Sequence, residues 1–252
     1  MSFLDVGQGD AIFIQTPEGH QILIDGGPDP ERICLALGEK LPFWDRDIDL
    51  LILTHPHLDH LTGLMEVLHR YRIGEVIQPE VVYYSPVYAQ WKWEMKAKGI
   101  NPTYAVRGQK IDLGDGVELR VLHPPPEGME SVNDNGIVIR LDYGEIGFLL
   151  TADISFQVEK VLLHQGVNLE ATVLKVAHHG GVDSTLPQFL EACDPAFAVV
   201  SVGKNVFAHP APSVITRLEN KAGAQNVLLT SEVGTITFTT DGEKLWVKTD
   251  KG

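Results

Sequence analysis

Short apolar runs, each stopped by glycine or a charged residue, open the chain. Residues 3–17, FLDVGQGDAIFIQTP, hold two such runs split by a Gly-Gln-Gly loop, and residues 20–27, HQILIDGG, form a third ending on Asp-Gly-Gly. Residues 48–55, IDLLILTH, are almost continuously apolar, the pattern of a strand buried on both faces. The period then changes. Leu61, Leu64, Met65 and Leu68 recur at helical spacing through DHLTGLMEVLHRY, so a strand, a polar loop and a helix follow one another there.

Residues 73–126 predict short strands, an aromatic helix VVYYSPVYAQWKWEMKAKG in which Trp91 and Trp93 are packing residues, and a proline-rich loop HPPPEG. From residue 132 strands and helices alternate again. GIVIRLDYG, IGFLLTAD, ATVLKVAHHGG and FAVVSVG read as strands, and ISFQVEKVLLHQG, TLPQFLEAC and PSVITRLENKAG as helices. A terminal pair, GTITFTTDGEKLWVKT, turns at Asp241-Gly242. No repeat, low-complexity stretch or linker interrupts this order. Residues 1–252 therefore read as one domain of two β-rich halves with helices outside.

Composition narrows the function. The chain carries 20 basic and 34 acidic residues, a net charge of −14, so it has no broad basic surface for gripping nucleic acid. An enzyme whose cations supply local positive charge escapes that exclusion. No apolar run reaches the roughly 18 residues of a membrane span, and no signal-peptide pattern opens the chain. Cys34 and Cys193 form neither a disulfide framework nor a CxxC zinc site and read as small core residues.

The densest chemistry is THPHLDHLTG, where His55, His57, Asp59 and His60 fall within six residues at the end of an apolar strand. Imidazole mixed with carboxylate suits Zn, Mn or Fe. Histidines two apart on extended chain point to one side, and the turn that follows aims Asp59 and His60 at a second position. Other strands end alike. LLTAD stops on Asp153, able to bridge two cations or to cap the next helix; VLKVAHHGG stops on His178 and His179; and NVFAHP brings His209, a ligand or a plain loop residue. Spacing does not decide between His178 and His179. His123, before the proline run, reads as a loop residue.

Together these motifs resemble the metallo-β-lactamase superfamily: His55–His60 match its HxHxDH signature, and Asp25 in LIDGG matches the buried aspartate that precedes it. Within it, LDVGQGDA at Leu4–Ala11, NDNGIVIRL at 133–141, FLLTADI, LKVAHHGG and SVGKNVFAHP are similar to the soluble C-terminal domain of the ComEC family of bacterial DNA-uptake channels. The resemblance implies an α/β fold, the αββα sandwich of two β-sheets flanked by helices. It implies two divalent ions, Mn²⁺ or Zn²⁺: His55 and His57 on one, Asp59 and His60 on the other, Asp153 bridging. One of His178 and His179 would complete the first and His209 the second. A departure stands out: where many members carry HTPGH, this chain reads VNDNGIV with no histidine, so the His178–His179 pair or Asp134 substitutes.

Such a pair of cations binds a phosphodiester, acidifies a shared water and stabilises in-line attack. Asp59 or Asp153 would orient the water, and His178, or whichever partner of the pair is not a ligand, would contact substrate or protonate the leaving group. The resemblance also implies that Gln8 and Asp10 of the Gly-Gln-Gly loop, which is otherwise an ordinary tight turn, line the site, that Asn135 bonds a phosphate oxygen, and that Asp25 fixes a ligand histidine from behind. The implied function is a metal-dependent nuclease. Its substrate would be single-stranded or duplex DNA, the strand not taken up during competence. It would work beside the membrane channel of the same parent protein, at the extracytoplasmic face of the cell membrane. A small-molecule phosphodiesterase, esterase or lactonase of the same fold, and a non-catalytic module of a DNA-uptake channel, are the competing readings.

Overall fold

A computed structural model describes residues 1–251. The first half runs β1 (Ser2–Phe3), β2 (Ile12–Gln15), β3 (Gln21–Ile24), α1 (Pro30–Lys40), β4 (Asp47–Ile52), α2 (Leu58–Arg70), β5 (Arg72–Gln78), α3 (Pro86–Ala97) and β6 (Thr103–Tyr104). The middle runs β7 (Lys110–Asp112), β8 (Val117–His123), β9 (Val138–Tyr143), β10 (Ile146–Leu150), α4 (Phe156–Gln165) and β11 (Val173–Lys175). The chain closes with α5 (Pro187–Cys193), β12 (Phe197–Val200), α6 (Pro212–Ala222), β13 (Val227–Leu229), α7 (Thr230–Val233), β14 (Ile236–Thr240) and β15 (Leu245–Thr249). One sheet has the order β15-β14-β1-β2-β3-β4-β5-β6 and the other β13-β12-β11-β10-β9-β8-β7, so the terminal hairpin β14–β15 returns to join β1.

Side-chain alternation builds three apolar layers from these strands. Ile22, Ile24, Leu50 and Ile52 of the first sheet meet Ile139, Phe148, Leu150 and Val173 of the second between the sheets. Their neighbours point the other way: Leu23, Leu51 and Leu53 pack under α1, α2 and α3, while Leu149 and Leu174 pack under α4, α5 and α6. Period-2 geometry puts successive residues on opposite faces, so a strand covered on both sides must be apolar throughout. This is an αββα sandwich.

Local chemistry sets the helix boundaries. Asp29 accepts from the Glu31 and Arg32 amides and Pro30 occupies the first turn of α1, a start the apolar pattern did not reveal. Ser155, not Asp153, caps α4, which leaves the Asp153 carboxylate free. In α3, Trp91 is buried and donates to Gln78 Oε1 at 2.9 Å, while Trp93, two positions on, is 67% exposed and does not pack. Cys34 packs under the first sheet and Cys193 under the second, on opposite sides of the sandwich, so they cannot pair.

Candidate metal centre

The site lies at the carboxyl ends of β4, β10, β11 and β12, between the two sheets. Leaving β4, the chain buries His55 completely, and His57 then starts α2 without a side-chain cap. Asp59 and His60 fall in the first helical turn, where the positive end of the helix favours a carboxylate. Asp25 supports this turn from β3. Its carboxylate accepts from Thr54 N (2.8 Å), Thr54 Oγ1 (2.6 Å) and His60 Nδ1 (2.8 Å). The Asp-Gly-Gly segment can lie this close because α2 carries Gly63 opposite it; a Cβ there would fall 1.9 Å from the Gly26 carbonyl oxygen. Gly9 plays a similar part in the Gly-Gln-Gly loop, with φ +145° and the Asp59 carbonyl 2.1 Å from any added Cβ.

The second sheet supplies the other half. Ala152 takes a left-handed turn (φ 47°) and directs Asp153 inward, where its Oδ2 lies 3.3 Å from His60 Nε2, 3.2 Å from His179 Nε2 and 4.0 Å from His55 Nε2. After β11, His178 and His179 are both left-handed (φ 51° and 53°), a strained pair of a kind concentrated at functional sites. The double turn sends them apart. His179 is buried, donates from Nδ1 to the Ser201 carbonyl at 2.7 Å, and sets Nε2 3.4 Å from Asp59 Oδ2. His178 faces the rim, its Nδ1 3.2 Å from Asp183 Oδ1, with the half-buried His209 ring 5.1 Å away.

The hydrogen bonds decide which ring nitrogens are free. His60 and His179 each use Nδ1 as donor, to a carboxylate and a carbonyl. Thr54 gives its hydroxyl hydrogen to Asp25, so towards His55 Nδ1, 3.2 Å away, it can only accept. In the neutral form all three therefore present a bare Nε2. Those three atoms are buried and make no hydrogen bond; Asp153 Oδ1 and Asp10 Oδ1, likewise unbonded, lie away from them, beside Lys175 and His179 Nδ1. Ligand atoms of Asp59, His60, Asp153 and His179 all lie within 4.8 Å of one another. Converging, unpaired nitrogen and carboxylate donors fit a divalent cation, and buried polar atoms are otherwise rarely left so.

Charge tells the same story. Burial opposes an imidazolium at His60 and His179, yet the surrounding carboxylates, Asp153 foremost, overcome it. His60 is held well above its ordinary value and His179 is raised to about 10. Burial, reinforced by His60, pushes His55 well below its ordinary value, and burial also lowers His57. Burial penalises the charged Asp153, but His179 and His60 more than compensate and hold it well below the usual carboxylate range. Without a cation, protons on His60 and His179 supply the positive charge that the carboxylates demand.

Several residues sit differently from their sequence-based roles. His179, not His178, reaches the centre, and it joins Asp59 and His60 rather than His55 and His57. His209 stays on the rim, 6.4 Å ring to ring from His179. Asn135 is not free for a phosphate oxygen: Oδ1 accepts from Met129 N, and Nδ2 donates to the Met129 and Ser131 carbonyls. Asp134 does not join the site either, since its Oδ1 accepts from the Ser155 amide. His123 is buried at the end of β8, bonded through Nε2 to the Asp134 carbonyl, instead of lying in a loop. Asp10 faces no substrate; it is buried against the Lys175 ammonium. Gln8 accepts from the Gly203 amide and lines a groove of about 590 Å³ beside Asp59, together with Arg32, Lys204 and Phe207. No motif in the sequence marks Lys175. The signal was a lysine inside VLKVA, an otherwise apolar strand end.

The family model of the metallo-β-lactamase superfamily matches residues 4–204. The chain belongs to that superfamily, and its site has the make-up of a metal-dependent hydrolase of the fold. It is 29% identical over 255 residues to ComE operon protein 3 of Bacillus subtilis (94% of this chain, 32% of that protein). It is 28% identical over 244 residues to competence protein ComA of Neisseria gonorrhoeae (93% and 31%). The chain thus spans about a third of the length of these relatives. Among solved structures, the metallo-β-lactamase fold protein YhfI of Bacillus subtilis superposes with a TM-score of 0.61 at 9% identity, covering 93% of this chain and 98% of that one. A diphosphatase of the PhnP family superposes at 0.53 with 16% identity (91% and 84%). These two likenesses are of fold.

Proposed function

We propose that this chain is a metal-dependent phosphodiesterase that cleaves DNA, and that it is the hydrolytic domain, folding as one unit over residues 1–252, of a longer competence protein. The observation that carries this reading is the cluster of unpaired His and Asp donors, whose neighbour Asp59 lines a groove shared with exposed Arg32 and Lys204. In so acidic a chain, two cationic side chains beside the ligand cluster suit a phosphate backbone. The similarity to two competence proteins along almost the whole chain supports DNA as that substrate.

His55 and His57 would hold one cation, Asp59, His60 and His179 the other, with Asp153 shared. Held there, Mn²⁺ or Zn²⁺ supplies Lewis-acid polarisation of the phosphodiester and acidifies water. The chain's own residues do the rest. Asp25 fixes the His60 ring, and the Ser201 carbonyl fixes His179. Asp59, less buried than Asp153, orients the attacking water. His178 has Nδ1 on Asp183 and a rim position, which leaves Nε2 to protonate the leaving oxygen. The rest of the parent protein would hold this domain at the extracytoplasmic face of a membrane; among the described residues no helix is long and apolar enough to cross one.

The test is cleavage of end-labelled single- and double-stranded DNA in Mn²⁺ or Zn²⁺, with an Asp59→Ala, His60→Ala variant as control. Cleavage by the parent chain alone supports the proposal; failure with every divalent metal overturns it. The net charge of −14 favours a second reading, a small phosphodiester or ester substrate. Activity on bis-p-nitrophenyl phosphate or a lactone without cleavage of DNA selects it.

A further inference from the structure

Lys175 is the last residue of β11, fully buried, and sits directly beneath the ligand cluster. A buried ammonium next to a cation site is an electrostatic cost, so its retention calls for a reason. Its partners supply one. Nζ donates to the Ala152 carbonyl at 2.8 Å, contacts Asp10 Oδ2 closely, and lies 3.6 Å from Asp153 Oδ1. The three free imidazole nitrogens converge instead on Asp153 Oδ2. The two oxygens of one carboxylate thus face different charges.

We propose that Lys175 is a positioning residue of the metal centre: its ammonium, neutralised by Asp10, holds Asp153 Oδ1 aside so that Asp153 meets cations through Oδ2 alone. This rests on the reading of the cluster as a metal site. The Asp10–Lys175 pair carries no net charge, but its positive end is turned towards Asp153. That orients the carboxylate without much repelling an incoming cation. Released from Lys175, the Asp153 side chain is free to turn and chelate one cation with both oxygens, which spoils its sharing between two. Asp10 would then belong to the Gly-Gln-Gly loop as the counter-ion of Lys175 and not as a substrate contact.

Cobalt binding tests this, because its visible spectrum reports coordination number and geometry. The purified chain is titrated with Co²⁺ alongside Asp10→Asn and the double variant Asp10→Asn, Lys175→Met, with folding followed by circular dichroism. The double variant conserves net charge, so a change reflects lost orientation. We expect its Co²⁺ affinity to fall by about tenfold or more and its absorption bands to change in position and intensity. Asp10→Asn should lose still more affinity, since it leaves Lys175 uncompensated beside the cation. A folded double variant with native affinity and native spectrum overturns the proposal, and so does Asp10→Asn binding Co²⁺ like the parent. If the double variant does not fold, the Asp10→Asn titration decides alone. A parent chain that binds no Co²⁺ rejects the metal-site reading itself and the role of Lys175 with it.

Discussion

Asp25 Oδ2 accepts the His60 Nδ1 hydrogen at 2.8 Å while the opposite nitrogen of the same ring points at Asp153. This fixes both tautomer and orientation of a candidate ligand that helix packing alone would leave free to turn. Asp25→Ala should lower Mn²⁺ or Zn²⁺ affinity about 10- to 100-fold, measured by competition with a chelating dye. Unchanged affinity would show that Asp25 serves only the Thr54 turn.

His178 and His179 are adjacent yet should fail in different assays. His179→Ala removes a nitrogen from the cluster and should reduce bound metal, read by elemental analysis after dialysis. His178→Ala should keep the metal content of the parent but slow cleavage by about 10²- to 10⁴-fold. Equal metal loss in both variants would contradict the outward course of His178.

Metal binding should release protons. In the metal-free chain His60 is held well above its ordinary value and His179 at about 10, so both carry a proton at pH 7 that a cation must displace. Calorimetry in buffers of different ionisation enthalpy should show close to two protons leaving per chain, and affinity should rise with pH. Stability runs the other way. A histidine with its folded value raised from 6.5 to about 10 contributes stability fully present below 6.5 and lost as pH climbs through 10. The metal-free chain should therefore melt at lower temperature across that window. A proton count near zero would contradict the charge pattern.

Gly63→Ala would drive a methyl group into the Gly26 carbonyl and part α2 from the loop that bears Asp25. Overpacking of this kind costs about 1–3 kcal/mol, read by urea denaturation, and metal affinity should fall too because Asp25 and His60 move apart.

Much of this was legible beforehand. The continuous apolar run to Leu53 and the strand endings at Asp153 and His179 located the site, because strands buried on both faces tolerate polar residues only where they leave the sheets. The helix α1 was hidden by its sequence, PERICLALGEK, whose buried residues are only Ile33 and Leu37. Which of the paired histidines turns inward was undecidable from spacing, since it depends on two left-handed residues in succession that no local preference announces. The engagement of Asn135 and the Asp10–Lys175 pair depend on contacts between distant segments, which periodicity does not encode.

The candidate ligands are shared out between the sheets, His55 to His60 from one and Asp153 and His179 from the other. A cation held among them is a rivet through the sandwich, opposing any sliding of one half over the other. Each tenfold rise in free metal above its dissociation constant should add about 1.4 kcal/mol to folding stability. Loss of metal would then unfasten the two halves at the end where the proposed chemistry would take place, and the protein would owe part of its mechanical integrity to the same ions that would serve its reaction.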